Sequence, residues 1–303
     1  MRKALELLGH TVIPIQENDP DAFTRLPEVA GATEAAFVLW TRTRWHPPVG
    51  QRTQAEGVDK VRALGVPVIG YHLDIWWGLK RAVEIQAEPF FTATDLVCTA
   101  DGGHDELWAA AGVDHAWFPP AIGDAEAART GTALPEYGEH AVAFVGCWDG
   151  SYHPESKHRH ALVAHLQARG DVSFWPKKGE KAVRGQALAN LYATVPVIVG
   201  DSCHVDDAGR YWSDRVPETF GRGGFLLHPV TGPGDGQGLG FDRPSFDWFD
   251  FAELDRLIGY YLGDGAGERT EVASAARQHV RRFHTYSARM ESLIGLLTDR
   301  GMI

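Results

Sequence analysis

The first 120 residues alternate short apolar runs with stretches of helical periodicity. Apolar runs of roughly four to eight residues between turn residues are typical of buried strands, and apolar spacings of three and four indicate helices. Gly9 and Gly65 stand where two of these helices end, as expected from the preference of helix C-termini for glycine. The pattern predicts helices over Ala4–Leu8, Gln54–Leu64 and Asp105–Ala111, and strands over Thr11–Ile15, Ala35–Trp40, Val66–Tyr71, Asp95–Thr99 and His115–Phe118.

The same alternation starts again after residue 140. Between the halves, Gly123–His140 is rich in Ala, Gly, Thr and charge without a clear period, which predicts a linker. Alternating strands and helices indicate βαβ units and a parallel sheet, so we expect an α/β fold with two Rossmann-like domains in tandem. The second half predicts strands over Ala141–Gly146, Asp171–Trp175, Val195–Val199 and Gly224–Leu227, and helices over Ser156–Ala168, Ala187–Tyr192, Arg215–Phe220, Phe251–Leu262 and Glu271–Leu297, the last broken near His284.

The start of the chain departs from the usual pattern of such domains. A Rossmann-like domain begins with a strand and a glycine-rich turn that leads into the first helix, whereas Met1 already lies within the predicted first helix. Either the domain has lost its first strand or the natural chain begins upstream of Met1, and the sequence leaves both alternatives open.

The length, net charge and composition of the chain exclude some classes of protein. A length of 303 residues suits two domains. The net charge of −11 disfavours general nucleic-acid binding, because polyanion binders neutralise phosphates with basic residues. Three widely spaced cysteines predict free thiols in a reducing compartment. Since no apolar stretch has the length of a membrane span and no signal peptide is evident, we expect a cytoplasmic protein.

Ligands of open parallel sheets bind outside the carboxyl ends of the strands. This rule selects the polar residues that directly follow the predicted strands, and in a two-domain protein such strand ends can face one another across a cleft. The residues selected are His72 and Asp74 in the first half, and Gly146, Trp148, Asp149, Trp175, Lys177, Lys178, Asp201 and Ser202 in the second.

The most specific segment is Tyr211–Pro229. Ser213 or Asp214 can cap a helix whose first turns carry Arg215 and Glu218, and a helix N-terminus attracts anions through its free N–H groups and dipole. Arg215 adds a positive charge suited to a phosphate, and Glu218 can accept from the paired hydroxyls of a ribose. The alternative is a common salt-bridged i,i+3 pair on a helix face.

The run Ser-Asp-Arg-Val-Pro-Glu-Thr-Phe-Gly-Arg-Gly-Gly-Phe-Leu-Leu, from Ser213 to Leu227, resembles the signature of glycosyltransferases related to the spore-maturation protein CgeB. Glu253-Leu254, the Tyr260–Leu262 run and the segment Ala276–Arg289 fit the same group, which belongs to the GT-B, group 1 glycosyltransferases. The resemblance covers the chain from about Val142 to the C-terminus and is weak before it.

The resemblance implies a domain layout. Residues 1–125 form an N-terminal, acceptor-side domain, residues 138–283 bind the nucleotide-sugar donor, and residues 284–303 form a C-terminal helix that crosses back to the N-terminal domain. It also implies a retaining reaction that needs no metal ion or other cofactor.

The resemblance also implies residue roles. Glu218 matches the carboxylate that binds the donor ribose. Lys157 and Arg159 lie where this group places basic residues near the diphosphate, with Lys177 or Lys178 as a rival, and Trp175 lies at a strand end used for the base. His72 and Asp74 are then the catalytic candidates, and Gly146, Ser213, Asp214 and Arg215 complete the donor-binding set.

Other polar clusters support weaker hypotheses. Arg42, Arg44 and Trp45, with Arg52, form a basic and aromatic spot that could contact an acceptor, although plain surface is the simpler interpretation. His153, His158 and His160 match no standard zinc spacing, and surface histidines are expected instead.

The sequence therefore predicts a hexosyl- or pentosyltransferase that uses a nucleotide-sugar donor. The acceptor is open between a glycan, a small molecule and a modified polymer. Two alternatives remain: a nucleotide-sugar epimerase of the same fold, which would turn over the donor without an acceptor, and a non-catalytic nucleotide- or glycan-binding protein, which would bind without forming product.

Overall fold

The structure is a computed structural model that describes residues 1–42, 49–148, 155–203, 209–230, 240 and 243–303. The chain divides into two compact units. Residues 2–119 and 290–303 make up the N-terminal unit, and residues 120–289, together with Met1, make up the C-terminal unit. The break between the units along the chain falls between Pro119 and Pro120.

The N-terminal unit is a layered α/β unit with a four-stranded sheet. All neighbouring strands pair in parallel, in the order β1-β2-β3-β4. Its apolar core contains several aromatic side chains, of which Trp76, Phe90 and Trp108 are almost fully buried. Its elements are α1 (Arg2–Leu7), α2 (Ala22–Ala32), β1 (Val38–Thr41), α3 (Gln51–Arg62), β2 (Val68–His72), α4 (Pro89–Thr92), β3 (Leu96–Thr99), α5 (Asp105–Ala110) and β4 (His115–Trp117).

The predicted strand Thr11–Ile15 is wrong, because the structure gives this segment no strand assignment and no sheet neighbour among the described residues. Strand β1 is the edge strand, and a cavity of about 500 Å³ lies among residues 10–18, helix α2 and residues 33–41. An extended segment without a neighbouring strand makes no interstrand hydrogen bonds. The apolar run Thr11–Ile15 therefore stays irregular although its sequence pattern is typical of a strand. The sequence also missed α2, because Pro27 lies in its interior, where proline usually breaks a helix.

The C-terminal unit carries a second parallel sheet of five strands, in the order β6-β5-β7-β8-β9. Buried Val142, Phe144, Val197 and Leu227 from its strands lie in one apolar core with Leu162 of a neighbouring helix. The elements are α6 (Asp124–Ala127), β5 (Val142–Val145), α7 (Lys157–Arg169), β6 (Val172–Trp175), α8 (Gly185–Thr194), β7 (Val197–Val199), α9 (Arg215–Gly221), β8 (Leu226–Pro229), β9 (Ser245–Phe246), α10 (Phe251–Leu262) and α11 (Ala266–Phe283), and they are followed by α12 (Tyr286–Asp299), of which only the residues up to Arg289 lie in this unit.

The stretch predicted as a linker has structure of its own. It contains α6 and a 3-10 turn over Pro135–Tyr137. The guanidinium of Arg222 bonds to Glu126 at 2.8 Å, and the side chain of Gln186 donates to the carbonyl of Thr130. Residues 120–140 therefore pack within the C-terminal unit.

The predicted break of the C-terminal helix near His284 is confirmed. Helix α11 ends at Phe283 and α12 starts at Tyr286, and from Met290 onward α12 belongs to the N-terminal unit. No helix in the described part of the chain has the length and apolar character needed to cross a membrane.

Two mid-helix glycines give a matched test of packing in these units. A Cβ on Gly57 of α3 would lie 2.3 Å from the carbonyl oxygen of Phe23, whereas a Cβ on Gly259 of α10 would meet no atom within 4 Å. We expect Gly57→Ala to lower the free energy of unfolding by about 1–3 kcal/mol through overpacking. Gly259→Ala should raise it by up to about 1 kcal/mol through helix propensity. Urea unfolding measures both, and equal midpoints would contradict this packing.

Candidate functional site

Asp201 is the buried acid at the carboxyl end of β7. Its Oδ1 lies 2.6 Å from Nε of Arg159, and its Oδ2 accepts from Nδ1 of His158 at 3.3 Å. Burial alone would raise the pKa of Asp201, but the bond from His158 and the charge of Arg159 hold that pKa below its usual value. The carboxylate is therefore ionised and fixes the first turn of α7.

His158 is buried, so its interpretation as a surface histidine is wrong. Its ring is enclosed edge-on by Trp248 at 4.3 Å between centroids and by Phe249 at 5.3 Å. His160 is exposed, and His153 lies outside the described residues. The apolar ring face of His158 packs in this aromatic pocket because its polar Nδ1 is satisfied by Asp201.

A hydrogen-bonded chain joins the next residue, Ser202, to the segment before α9. The N–H of Ser213 donates to Ser202 Oγ at 2.7 Å, and Ser202 Oγ lies 2.9 Å from Nε2 of His228. Burial lowers the pKa of His228 to about 3, so the ring is neutral. Its Nδ1 donates to the carbonyl of Pro229 at 2.8 Å. This leaves Nε2 to accept from the Ser202 hydroxyl and fixes the position of Ser213.

Arg215 and Glu218 form a half-buried ion pair on α9. The guanidinium Nη1 of Arg215 donates to Glu218 Oε2 at 3.1 Å and to the hydroxyl of Tyr192 at 2.9 Å. Burial raises the pKa of Glu218, against the charge of Arg215. Burial lowers the pKa of Arg215, whereas the neighbouring Tyr192, Glu218 and Asp214 raise it. The net shift of this pKa is upward. The i,i+3 pairing weighed as the simpler alternative is therefore present.

The pair lies at the sheet edge predicted for ligands. A Cβ on Gly200 would lie 3.4 Å from Cγ of Arg215, so Arg215 packs over the residue between β7 and Asp201. The side chain of Glu218 is 27% exposed, and within the described residues its Oε1 receives no hydrogen bond. One carboxylate oxygen therefore remains available for a ligand.

The predicted side-chain cap of α9 is wrong. Asp214 occupies the cap position, but its side chain accepts no cap hydrogen bond. The hydroxyl of Ser213 donates instead to the carbonyl of Asp201 at 3.1 Å. Ser213 thus ties the start of α9 to the residues that follow β7, and neither side chain closes the helix.

The remaining donor candidates lie around the ends of β5 and β6. The N–H of Gly146 donates to the carbonyl of Trp175 at 2.9 Å. Trp175 is buried against Tyr137, and Nζ of Lys177 lies 5.2 Å from its ring centroid. The exposed amine of Lys157 lies in the first turn of α7. The structure therefore groups Trp175 with Lys177, and Arg159 with Ser213 through Asp201.

His72 and Asp74 follow β2 in the N-terminal unit, as predicted. His72 Nδ1 accepts from the indole Nε1 of Trp76 at 3.1 Å, and Asp74 pairs with Arg81 at 2.8 Å. Burial lowers the pKa of His72 to about 4, and the charges of Arg81 and Arg42 act in the same direction. Asp74 is thus engaged in an ion pair, and the imidazole is neutral at neutral pH.

Arg42 does not lie on an accessible surface, in contrast to its prediction as an acceptor contact. Its side chain is 2% exposed and its Nη1 donates to Glu88 at 2.7 Å. The guanidinium also lies over the rings of Trp76 and Phe90. Burial of a charge requires such a partner, so this arginine is structural. Arg44 and Trp45 lie outside the described residues.

Sequence reasoning did not single out several residues that shape these sites. The hydroxyl of Tyr192 accepts from Nη1 of Arg215, the same nitrogen that binds Glu218. Burial and the charges of Asp214 and Glu218 raise the pKa of Tyr286. The indole of Trp76 donates to His72, but Trp76 was not among the residues selected from the sequence. Each of these residues is aromatic, and aromatic residues usually fill cores.

The comparisons with known proteins match the C-terminal unit most directly. Residues 155–295 match the family described as glycosyl transferase-like. No curated protein matches the sequence.

Solved structures match nearly the whole chain. The sucrose-phosphate synthase of Thermosynechococcus elongatus has 14% identity, a TM-score of 0.55, and coverage of 95% of this chain and 80% of that one. HepE of Anabaena in complex with UDP has 12% identity, a TM-score of 0.59, and coverage of 98% and 89%. The trehalose 6-phosphate synthase of Burkholderia multivorans has 12% identity, a TM-score of 0.56, and coverage of 92% and 74%. The chain resembles these GT-B glycosyltransferases, and the prediction of two parallel α/β domains in tandem is confirmed.

Proposed function

We propose that the protein is a glycosyltransferase that takes a hexosyl or pentosyl group from a nucleotide-sugar donor bound in its C-terminal unit. The observation that carries the proposal is the Arg215–Glu218 pair at the carboxyl end of β7, inside the segment that matches the glycosyl transferase-like family. The match of the whole chain to HepE in complex with UDP and with UDP-glucose supports a nucleotide-linked sugar as the donor.

Glu218 is proposed to hold the donor ribose. Arg215 binds Oε2 and orients the carboxylate, which leaves Oε1 to accept from a ribose hydroxyl. Although burial raises the pKa of Glu218, the adjacent guanidinium favours the ionised form, and hydrogen bonds to a carboxylate are stronger than those between neutral groups.

The donor diphosphate is proposed to lie against the first turn of α7. This helix has 13 residues, and the side chain of Ser156 at its N-cap position makes no capping hydrogen bond. Its free N–H groups, its dipole and the exposed amine of Lys157 attract negative charge. Arg159 adds a second positive charge next to Asp201. These groups would stabilise the negative charge that develops on the leaving diphosphate, and we propose a metal-independent, retaining transfer.

The remaining predicted residues take supporting roles. Gly146, Trp175 and Lys177 are proposed to contact the nucleotide at the ends of β5 and β6, and Ser213 and Asp214 to shape the start of α9. In the N-terminal unit, His72 is proposed to contact the reacting sugar or the acceptor, and Asp74 acts through its pairing with Arg81. The acceptor is proposed to be a hydroxyl-bearing glycan, small molecule or modified polymer.

The experiment that tests the activity follows a radiolabelled sugar from candidate donors into a panel of glycan and small-molecule acceptors. Acceptor-dependent appearance of labelled product with release of nucleoside diphosphate supports transfer. Conversion of the donor into an isomer without acceptor would show an epimerase instead. Tight donor binding with neither outcome would show a binding protein.

A further inference from the structure

The indole of Trp76 determines which nitrogen of His72 carries the proton. Trp76 Nε1 lies 3.1 Å from His72 Nδ1, and the two rings meet edge-on with centroids 5.6 Å apart. An indole N–H can only donate a hydrogen bond, so His72 Nδ1 must accept with its lone pair. The proton of the neutral imidazole therefore lies on Nε2.

A buried network holds the indole in this position. The backbone N–H groups of Trp76 and Trp77 both donate to the carboxylate of Asp101 at 2.8 Å, and the Asp101 side chain also bonds to Nδ1 of His104 at 3.1 Å. The Trp76 side chain is fully buried, with the guanidinium of Arg81 5.1 Å above its ring. The loop after β2 therefore fixes the Trp76 donor and, through it, the tautomer of His72.

The charged groups facing His72 keep it neutral. Burial, with the charges of Arg81 and Arg42, lowers the pKa of His72 to about 4 against the opposing effect of Asp74. A basic group with a lowered pKa in the folded state becomes charged only as the pH falls towards that value. The ring therefore stays uncharged from pH 6 to 8.

The other ring nitrogen is open to a ligand. His72 is half-buried at the carboxyl end of β2, and no residue of the described ranges bonds to its Nε2. A neutral Nε2–H can donate a hydrogen bond but cannot take up a proton. This excludes the use of the same nitrogen as a general base.

We propose that His72 binds an oxygen of the bound sugar or phosphate as a neutral hydrogen-bond donor through Nε2–H, and that Trp76 is the positioning residue that imposes this tautomer. The identity of the ligand rests on the proposed glycosyl transfer. The tautomer and its cause rest only on the geometry of the N-terminal unit.

The first test is long-range ¹H–¹⁵N NMR on protein labelled with ¹⁵N-histidine, with His72 assigned by the loss of its signals in His72→Gln. We expect wild-type His72 to be protonated at Nε2 only and not to titrate between pH 6 and 8. Trp76→Phe keeps an aromatic ring but removes the N–H, so both tautomers should appear.

Trp77→Phe is the matched control. It removes a neighbouring buried indole N–H that has no partner within the described residues, so the His72 tautomer should stay as in wild type. A wild-type ring protonated at Nδ1, or one that titrates near its ordinary pKa, overturns the proposal whatever the activity of the protein. The same holds if Trp76→Phe leaves the tautomer unchanged.

Steady-state kinetics of His72 variants distinguish a hydrogen-bond donor from a general base at this position. The side-chain amide of glutamine can donate near the position of Nε2 but cannot accept a proton, whereas alanine can do neither. We expect His72→Ala to lower kcat/KM about tenfold or more and His72→Gln to recover most of that loss. If His72→Gln is as impaired as His72→Ala, the donor role is wrong. If wild type transfers no sugar at all, the proposed function fails while the NMR result still decides the tautomer.

Discussion

Replacing Asp201 with asparagine is expected to lower the free energy of unfolding by about 3–5 kcal/mol, the usual cost of removing one member of a buried ion pair. The carboxylate is 1% exposed and is bound by Arg159 and His158. Asparagine keeps the shape of the side chain but leaves the guanidinium, which is 11% exposed, without its counter-charge. The loss should also loosen the first turn of α7, where the donor diphosphate is proposed to bind.

Asp171→Asn is the matched control. Asp171 also pairs with an arginine, Arg169 at 2.9 Å, but its side chain is 54% exposed. Exposed pairs contribute less than about 1 kcal/mol, so this variant should unfold close to wild type in urea. Equal stability of the two variants would contradict the role assigned to Asp201.

The effect of Asp201 should depend on pH in a defined direction. Its pKa in the folded protein is lowered, so its contribution is present above the unfolded value of about 3.9 and is lost as the pH falls through the folded value. The difference in stability between wild type and Asp201→Asn should therefore be full at pH 7. Below about pH 4 it should shrink as Asp201 becomes protonated.

Replacing Glu218 with alanine is expected to weaken donor binding about tenfold to hundredfold. A hydrogen bond to a charged group contributes about 1.5–3 kcal/mol, and each 1.4 kcal/mol corresponds to a factor of ten in Kd. The variant removes the ribose acceptor and also removes one of the two partners of Arg215 Nη1, which leaves its bond to the Tyr192 hydroxyl. Isothermal titration with the nucleoside diphosphate that binds wild type measures the change.

Two further variants make this measurement specific. Glu218→Gln keeps an oxygen acceptor at the same place and should lose less affinity than Glu218→Ala. Glu253→Ala removes a carboxylate of the same unit that pairs with Arg256 on an exposed helix face, and its donor Kd should match wild type. Unchanged affinity in a folded Glu218→Ala protein would contradict the proposed donor site.

The pattern of apolar runs predicted most strands of both sheets to within three residues. The run Val66–Tyr71 became a parallel strand, β2, that is buried along most of its length, as is typical of parallel sheets. Thr11–Ile15 is also largely apolar but does not form a strand, since strand formation depends on a neighbour that local sequence cannot supply. For helix α2, the local sequence argued against an element that tertiary packing supports. Pro27 disfavours a helix locally, but α2 packs closely against α3 and remains helical.

The sequence motif identified candidate residues of the site, but only some of their contacts could be predicted. The sequence favoured donor binding by Arg215 and Glu218 and left an i,i+3 pair on one helix face as the alternative, and the structure shows that pair. The partners of His158 and Arg42 could not be predicted, because Asp201 and Glu88 lie more than 40 positions away along the chain. A polar residue that looks exposed in the sequence can be buried when the fold supplies its counter-charge.

The most direct test of the donor site is a crystal structure of the protein with the nucleoside diphosphate that gives the largest thermal shift in a panel of such nucleotides. We predict that the ribose hydroxyls lie within hydrogen-bond distance of the Glu218 carboxylate, with the diphosphate against Lys157 and the first turn of α7. A nucleotide bound away from Glu218, or a well-folded protein that binds none of the nucleotides, would contradict the assignment of a nucleotide-sugar donor site to the C-terminal unit.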